Sequence, residues 1–94
     1  MTMRESSLVR RILSELNAIP ETKAIKIHGD GYMEVGTPDI IGCHNGRLFA
    51  IEVKAGRGKL APIQALRLGQ WAAAGAAVSE VREGFDMRTF VEGI

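Results

Sequence analysis

A tight hairpin centred on Asn45-Gly46 is the feature that most constrains how this chain can fold. Asn-Gly between two apolar runs favours a two-residue type I′ turn, because both central residues of that turn need positive φ. With these two residues in the loop, His44 faces Arg47, and the same register places Asp39 opposite Glu52. Residues directly opposite each other share a face of the hairpin, with their Cβ atoms roughly 4.5–5.5 Å apart. The hairpin therefore predicts a pair of opposed carboxylates.

The carboxylate pair has a cationic neighbour, because Lys54 lies two residues beyond Glu52 and the strand pleat returns it to the same face. Like charges opposed across two strands destabilise a sheet. A divalent cation would remove the repulsion, since Mg²⁺ is commonly held by one or two carboxylates and substrate phosphates. Two interpretations stay open: a metal centre, or the solvated face of an edge hairpin. Gly36 and Pro38 favour an extended entry that fixes Asp39 at the start of its strand.

Both faces of the hairpin are largely apolar, so we expect helices to cover both of them. The carboxylate pair would then lie in a recessed mouth where the hairpin opens. Cys43 is expected to be a small buried hydrophobe. It is the sole cysteine and cannot form an internal disulfide, so the expected compartment is a reducing cytoplasm.

The segment before the hairpin predicts a helix followed by a strand. Residues 3–17 carry an apolar stripe at helical spacing, and residues 24–28 alternate between apolar and polar. Glu5 has two interpretations: a partner of Thr2 in a capping box, or a carboxylate that points to the metal site. His28 has two interpretations: a metal ligand or general base, or a surface residue at the strand end, which is the commoner case. Residues 29–37 are predicted to form a loop past the same site, in which Tyr32 either packs or stacks on a base.

The segment after the hairpin is locally basic. Residues 53–79 contain no acidic residue and carry a net charge of +4, whereas the whole chain carries +1. A flexible loop at Gly56–Lys59 suits phosphate contact. A helix from Pro62 to about residue 74 follows and ends before Gly75. Its first-turn Gln64 is either exposed or able to reach back to the hairpin mouth.

The remaining residues predict a strand at residues 77–81 and a short helix capped by Asp86. The order helix, strand, hairpin, helix, strand, helix predicts one α/β domain over residues 1–94, built on a mixed sheet. No apolar run approaches the roughly 18–20 residues that span a membrane, and the N-terminus does not resemble a signal peptide.

The pattern Gly36-x-Pro38-Asp39 followed by Glu52-Val53-Lys54 resembles the PD-(D/E)XK nuclease superfamily. More narrowly, the chain resembles the minimal stand-alone phage and bacterial form of the virus-type replication-repair nuclease (VRR-NUC) family. The early Glu5 and Gln64 extend the resemblance over nearly the whole chain. It implies a restriction-endonuclease-like core, in which a small mixed β-sheet in the order α-β-β-β-α-β is flanked by helices.

The resemblance also implies roles for these residues. Asp39 and Glu52 would bind Mg²⁺ or Mn²⁺ with the Val53 carbonyl, and Glu5 would join directly or through water. Lys54 would orient or activate the attacking water, and Gln64 would help to position it. These roles agree with the needs of phosphodiester hydrolysis, which requires an activated water and charge neutralisation. The expected DNA-binding residues are Arg57, Lys59 and Arg67.

The expected function is metal-dependent DNA cleavage, selective for branched or junction structures, in the cytoplasm of a bacterium or a phage-infected host. Such small nucleases resemble junction-resolving enzymes, so a homodimer is expected. Met87, Phe90 and Ile94 either form its interface or pack in the core. The alternative function is a non-catalytic nucleic-acid-binding or interaction module with the same fold.

Overall fold

One mixed sheet of four strands organises the molecule. A computed structural model describes residues 3–94 of the chain. The elements are α1 (Glu5–Asn17), β1 (Thr22–Lys26), β2 (Ile40–His44), β3 (Arg47–Val53), α2 (Pro62–Ala73), β4 (Ala77–Val81) and α3 (Met87–Glu92). The strands lie in the order β1-β2-β3-β4; the first two pairs are antiparallel, and β4 runs parallel to β3. The chain crosses from β3 to β4 through α2, which confirms the predicted α/β class and element order.

The hairpin forms in the predicted register. Asn45 and Gly46 have φ values of 47° and 84°, as a type I′ turn requires. His44 pairs with Arg47, and the ladder continues to Ile40 opposite Ile51. One further step along the same register brings Asp39 opposite Glu52.

The main hydrophobic core lies between the sheet and the pair α1 and α3. Helix α1 contacts β1, β3 and α3. Four residues of its predicted apolar stripe are buried, namely Leu8, Val9, Ile12 and Leu16, and the fifth, Leu13, packs against the core while partly buried. Phe49 of β3 packs against Phe90 of α3 with ring centroids 6.1 Å apart and nearly perpendicular planes. Gly42 lies beneath the Phe49 ring, where a Cβ would collide with that ring and with the Lys23 carbonyl.

The structure corrects the predicted start of α1 and decides between the two interpretations of the apolar residues near the C-terminus. Helix α1 begins at Glu5 with Arg4 as its N-cap, so Glu5 is the first helical residue and does not occupy the third position of a capping box. Thr2, the other half of that box, lies outside the described residues.

Met87 and Val91 are buried in the core, and Phe90 and Ile94 pack against it. The core interpretation of the C-terminal apolar residues therefore prevails over the interface one.

The sheet face opposite α1 is only partly covered, which corrects the expectation that helices cover both faces. Helix α2 packs over β3 and β4, where it helps to bury Ala50 and Glu52. Beyond the reach of α2, Ile25 and Leu48 stay 52% and 39% exposed. Cys43 also lies on this part of the face and is exposed, contrary to its predicted burial. A single twelve-residue helix is too narrow to cover four strands.

Strand β1 is displaced from its predicted position at residues 24–28. It begins at Thr22 and ends at Lys26, because its partner β2 has only five residues and pairing stops at Ile40. One more hydrogen bond, from the Ile27 N–H to the Asp39 carbonyl at 2.8 Å, closes the ladder. His28 lies past the strand and is exposed, as a surface residue would be.

Candidate metal centre

The first carboxylate of the site is held at the mouth of the hairpin by backbone contacts. Pro38 is buried, and Asp39 is the residue immediately before β2. The Asp39 carbonyl closes the β1–β2 ladder, while its side-chain Oδ2 accepts the Val53 N–H at 2.8 Å. The main chain of Asp39 is thus held by Ile27 and its side chain by Val53. These two contacts fix the Asp39 carboxylate against the end of β3.

The second carboxylate is buried, which is unusual for a charged group. Glu52 lies in β3 with its residue 1% exposed, and it is the only charged residue among the buried ones described. Its Oε1 accepts a hydrogen bond from Gln64 Nε2 at 3.1 Å and lies 3.9 Å from Lys54 Nζ. Its Oε2 is buried without a hydrogen-bond partner within the described chain. A buried acceptor left without a partner is costly, so this atom points to a missing ligand.

The environment of Glu52 opposes its negative charge. Burial is the main cause, followed by a hydrogen bond and charge repulsion from Asp39 and by the more distant charge of Glu5. The positive charge of Lys54 lowers the pKa of Glu52, but by less than the other effects raise it. Together these effects raise the pKa of Glu52 from 4.5 to about 8. Only a protonated carboxyl can donate a hydrogen bond to the other, so once both are ionised Glu52 Oε2 has no donor within the described chain.

Lys54 and Gln64 flank the carboxylates from two different elements. Lys54 follows β3 directly, its N–H donates to the Val81 carbonyl at 3.0 Å, and its side chain is only 12% exposed. Gln64 lies in the first turn of α2, where its Oε1 accepts the Ala61 N–H at 2.9 Å. The side-chain amide of Gln64 therefore caps α2 through its oxygen and binds Glu52 through its nitrogen. This links the first turn of α2 to the Glu52 carboxylate.

Glu5 lies farther from the centre than the other four side chains. It is exposed in the first turn of α1, and its charge reaches Glu52 only as a minor contribution to that residue's raised pKa. Within residues 3–94 no group of three Asp, Glu, His or Cys side chains is close enough to hold a metal together. The compact centre is therefore Asp39 and Glu52, with Lys54 and Gln64, and the predicted ligand role of Glu5 stays a prediction.

The compact centre fits a hard divalent cation. Such ions prefer carboxylate oxygens, and Mg²⁺ needs only one or two of them from the protein because it keeps waters and substrate oxygens as its other ligands. A cation beside the two carboxylates would give Glu52 Oε2 its missing partner and remove the repulsion from Asp39. The Val53 N–H is already used by Asp39, and the ligand role of the Val53 carbonyl stays a prediction.

The three predicted DNA-binding cations fall into two groups. Arg57 and Lys59 are exposed in the loop after β3, and neither forms an ion pair with a residue in the described part of the chain. Arg67 is occupied within the protein: its Nε lies 2.7 Å from Glu34 Oε1 and donates to the Val35 carbonyl at 2.9 Å. Contact between Arg67 and DNA stays a prediction, and its evident role is to hold the preceding loop.

Sequence reasoning missed a residue that supports the basic loop. Arg82, just after β4, donates to the carbonyls of Gly56 and Gly58 and pairs with Glu80. Nothing local in the sequence signals this contact, because it joins segments 24 to 26 residues apart. The loop that carries Arg57 and Lys59 is consequently braced against β4.

Within residues 3–94, no helix combines the length and the apolar character needed to cross a membrane. No family model matches the sequence, and no curated protein matches it. Among solved structures, the chain is similar to Hjc, a Holliday junction resolvase from the archaeal hyperthermophile Archaeoglobus fulgidus, with a TM-score of 0.61 and 24% identity. The match covers 85% of this chain and 69% of the resolvase.

The topology and this likeness define the class of fold. The chain has the restriction-endonuclease-like fold, with a mixed sheet flanked by helices. The predicted fold class is thereby confirmed. The comparisons do not show membership of the narrower VRR-NUC family.

Proposed function

We propose that this protein is a Mg²⁺- or Mn²⁺-dependent endonuclease that hydrolyses phosphodiester bonds in branched or junction DNA. One observation carries the proposal: the buried Glu52 carboxylate keeps an oxygen without a partner beside Asp39 and is flanked by Lys54 and Gln64. A stable fold gains nothing from that arrangement, whereas a metal centre requires it. The likeness to a Holliday junction resolvase supports junction DNA as the substrate.

The residues divide the chemical work between them. A bound Mg²⁺ or Mn²⁺ supplies charge neutralisation at the phosphate and a more acidic water. Asp39 and Glu52 would hold it, and Gln64 keeps Glu52 oriented by occupying Oε1 while Oε2 stays free. The Lys54 ammonium, held 3.9 Å from Glu52, would bind the attacking water and balance charge that develops on the phosphoryl oxygens.

Substrate DNA would be bound through its backbone. Arg57 and Lys59 project from the loop braced by Arg82, directly after the strand that carries Glu52 and Lys54. Phosphate contacts of this kind position a duplex without reading its sequence. We therefore expect cleavage that depends on DNA structure and salt concentration more than on base sequence.

We further propose that the protein acts as a homodimer and belongs to the VRR-NUC family. The dimer is supported by the uncovered half of the sheet, where Ile25, Cys43 and Leu48 are exposed on the same face of β1, β2 and β3. Two active sites would also suit the cutting of two strands. The family is supported by the Gly36-x-Pro38-Asp39 and Glu52-Val53-Lys54 motifs.

The test is cleavage of a synthetic four-way junction and of a linear duplex with the same arm sequences, in Mg²⁺, in Mn²⁺ and in EDTA. The wild-type protein is expected to cut the junction only with a divalent cation. Glu52→Gln and Lys54→Ala should each lower the rate by at least about a hundredfold. The control Glu92→Gln, which changes an exposed carboxylate on α3 paired with Arg88, should cut at the wild-type rate.

Two outcomes would contradict the proposal. Salt-dependent binding of the junction without cleavage in either metal would favour the alternative, a non-catalytic nucleic-acid-binding module with this fold. Cleavage that survives both substitutions would show that the catalytic centre lies elsewhere.

A further inference from the structure

The loop between β1 and β2 (residues 27–39) begins and ends at the candidate metal centre. The hydrogen bond from the Ile27 N–H to the Asp39 carbonyl joins its two ends. Its residues, together with Lys26, line an open cavity of about 300 Å³ that reaches Asp39. The cavity therefore connects this loop with Asp39, the first carboxylate of the candidate centre.

Specific contacts hold the second half of the loop against α2. Arg67 of α2 binds the Glu34 carboxylate and the Val35 carbonyl. Gly36, with φ of 82°, passes so close to Ile63 that a Cβ there would lie 2.9 Å from the Ile63 carbonyl oxygen. The Thr37 hydroxyl donates to the Glu34 carbonyl at 2.6 Å. The backbone is thus anchored to the helix that also carries Gln64.

The first half of the loop is a turn closed by Asp30, which accepts the Tyr32 N–H through Oδ1 at 2.8 Å and the Met33 N–H through its carbonyl. This turn presents the Tyr32 side chain to solvent, fully exposed. Met33 and Val35 are exposed as well, so three of the seven large exposed hydrophobic residues described fall within four positions of one loop. Met33 and Val35 also line the cavity that reaches Asp39, so the cluster adjoins the candidate metal centre. An exposed apolar cluster in such a place indicates a binding surface.

The chemistry of the turn favours a base over a phosphate as its ligand. Glu34 is paired with Arg67, so Asp30 is the acidic group beside Tyr32, while the exposed cations Arg57 and Lys59 lie in the loop after β3. A phosphate would be repelled by the acidic turn and attracted to the basic loop. The uncharged face of an unstacked base has no such preference and gains from stacking on an aromatic ring.

We propose that Tyr32 stacks on an unpaired or unstacked base next to the scissile phosphate, and so selects branched over continuous DNA. This inference rests on the proposed function and adds the element that recognises the branch. A continuous duplex keeps its bases stacked on each other and offers Tyr32 no face, whereas a branch point exposes one. Every base has such a face, so the selection is structural and not sequence-specific.

The test measures binding of the full-length protein, in EDTA so that no cleavage occurs, to a splayed fork and to a duplex of equal length. A 2-aminopurine at the branch of the fork reports stacking through its fluorescence. Wild type is expected to bind the fork more tightly than the duplex and to quench the probe. Tyr32→Ala should weaken fork binding roughly fivefold to a hundredfold, with duplex binding within about twofold. Tyr32→Trp should retain both the affinity and the quenching.

Leu66→Ala is the matched control, because it removes an exposed apolar side chain from α2, outside the loop and its cavity. It should leave fork binding and quenching unchanged. Equal fork affinity and equal quenching in Tyr32→Ala and wild type, together with normal metal-dependent junction cleavage, would overturn this inference and leave the proposed function standing. Absence of both DNA binding and cleavage in wild type would overturn the two together.

Discussion

At the scale of single residues, the central feature is a carboxylate kept where a carboxylate is unfavourable. Glu52 is buried, its Oε2 has no partner within the described chain, and Asp39 repels it. The nearest cation, on Lys54, is 3.9 Å away and does not cancel these effects. Once Glu52 ionises, the metal-free protein therefore carries a local instability that a cation would relieve.

The raised pKa of Glu52 predicts how the stability of the metal-free protein depends on pH. The folded protein holds this proton up to about pH 8, whereas the unfolded chain releases it near 4.5. The contribution to stability is therefore fully present below pH 4.5 and is lost as the pH rises through about 8. We expect the wild-type Tm in EDTA to fall between pH 6 and 9 more steeply than that of Glu52→Gln, which cannot ionise.

The size of this effect is measurable by thermal unfolding, because a loss of about 1 kcal/mol lowers the Tm of a domain of this size by roughly 4–8 °C. Mn²⁺ should restore the lost stability of wild type at pH 8.5 and have no such effect on Glu52→Gln. Parallel Tm profiles of the two proteins over this pH range would show that Glu52 is not destabilised by its surroundings.

The placement of these residues was predictable to different degrees. Asp39, Glu52 and Lys54 follow from one turn and the two-residue period of a strand, so a single register fixes all three. Glu5 and Gln64 depend on where helices dock, which local patterns do not encode. The hydrogen bond from Gln64 to Glu52 and the exposed position of Glu5 emerge only from tertiary packing.

At the scale of elements, the hairpin positions the site because its pairing is tightly specified. Positive φ at Asn45 and Gly46 sets the register, and Gly42 sets the approach of Phe49. Strand β1 was less predictable: the alternation at residues 24–28 is real, but the short β2 ends the pairing at Lys26. The length of the partner strand, and not the local sequence pattern, thus decides where β1 ends.

The fit beneath Phe49 predicts the effect of adding one methyl group. Gly42→Ala would place a Cβ against both the Phe49 ring and the Lys23 carbonyl, and backbone atoms cannot move away cheaply. We expect the free energy of unfolding to fall by about 1–3 kcal/mol, as overpacked cores typically show. Urea denaturation measures this change.

Gly69→Ala is the matched control, because Gly69 lies inside α2 with open space where its Cβ would be. The same methyl group should stabilise the protein there by about 0.5–1 kcal/mol. A Gly42→Ala protein as stable as wild type would mean that β2 and the Phe49 ring do not pack as described.

At the scale of the whole molecule, the extent to which helices cover the two faces of the sheet is the feature that sequence patterns predict least well. Apolar strands predict cover on both faces, yet α2 reaches only β3 and β4. The uncovered half leaves Ile25, Cys43 and Leu48 exposed. These three residues lie on a face that was predicted to be covered, and their exposure supports the proposed homodimer.

The dimer predicts that a charge on this face separates the subunits. Leu48→Glu should convert a dimeric species into a monomer in sedimentation-velocity experiments, because burying an unpaired carboxylate in an apolar interface is costly. Leu66→Glu is the matched control, since Leu66 is also an exposed leucine but lies on α2, outside the uncovered half. A wild-type monomer at micromolar concentration, or a Leu48→Glu protein that stays dimeric, would contradict this interface.

The most direct test of the metal centre is a crystal structure of the protein soaked with Mn²⁺, with anomalous diffraction to locate the ion. We expect an anomalous peak between the carboxylates of Asp39 and Glu52, with Glu52 Oε2 among the ligands. The same map would show whether Glu5 reaches the ion. A crystal that binds Mn²⁺ only at other positions, or leaves this pair without a peak at millimolar Mn²⁺, would contradict the central claim.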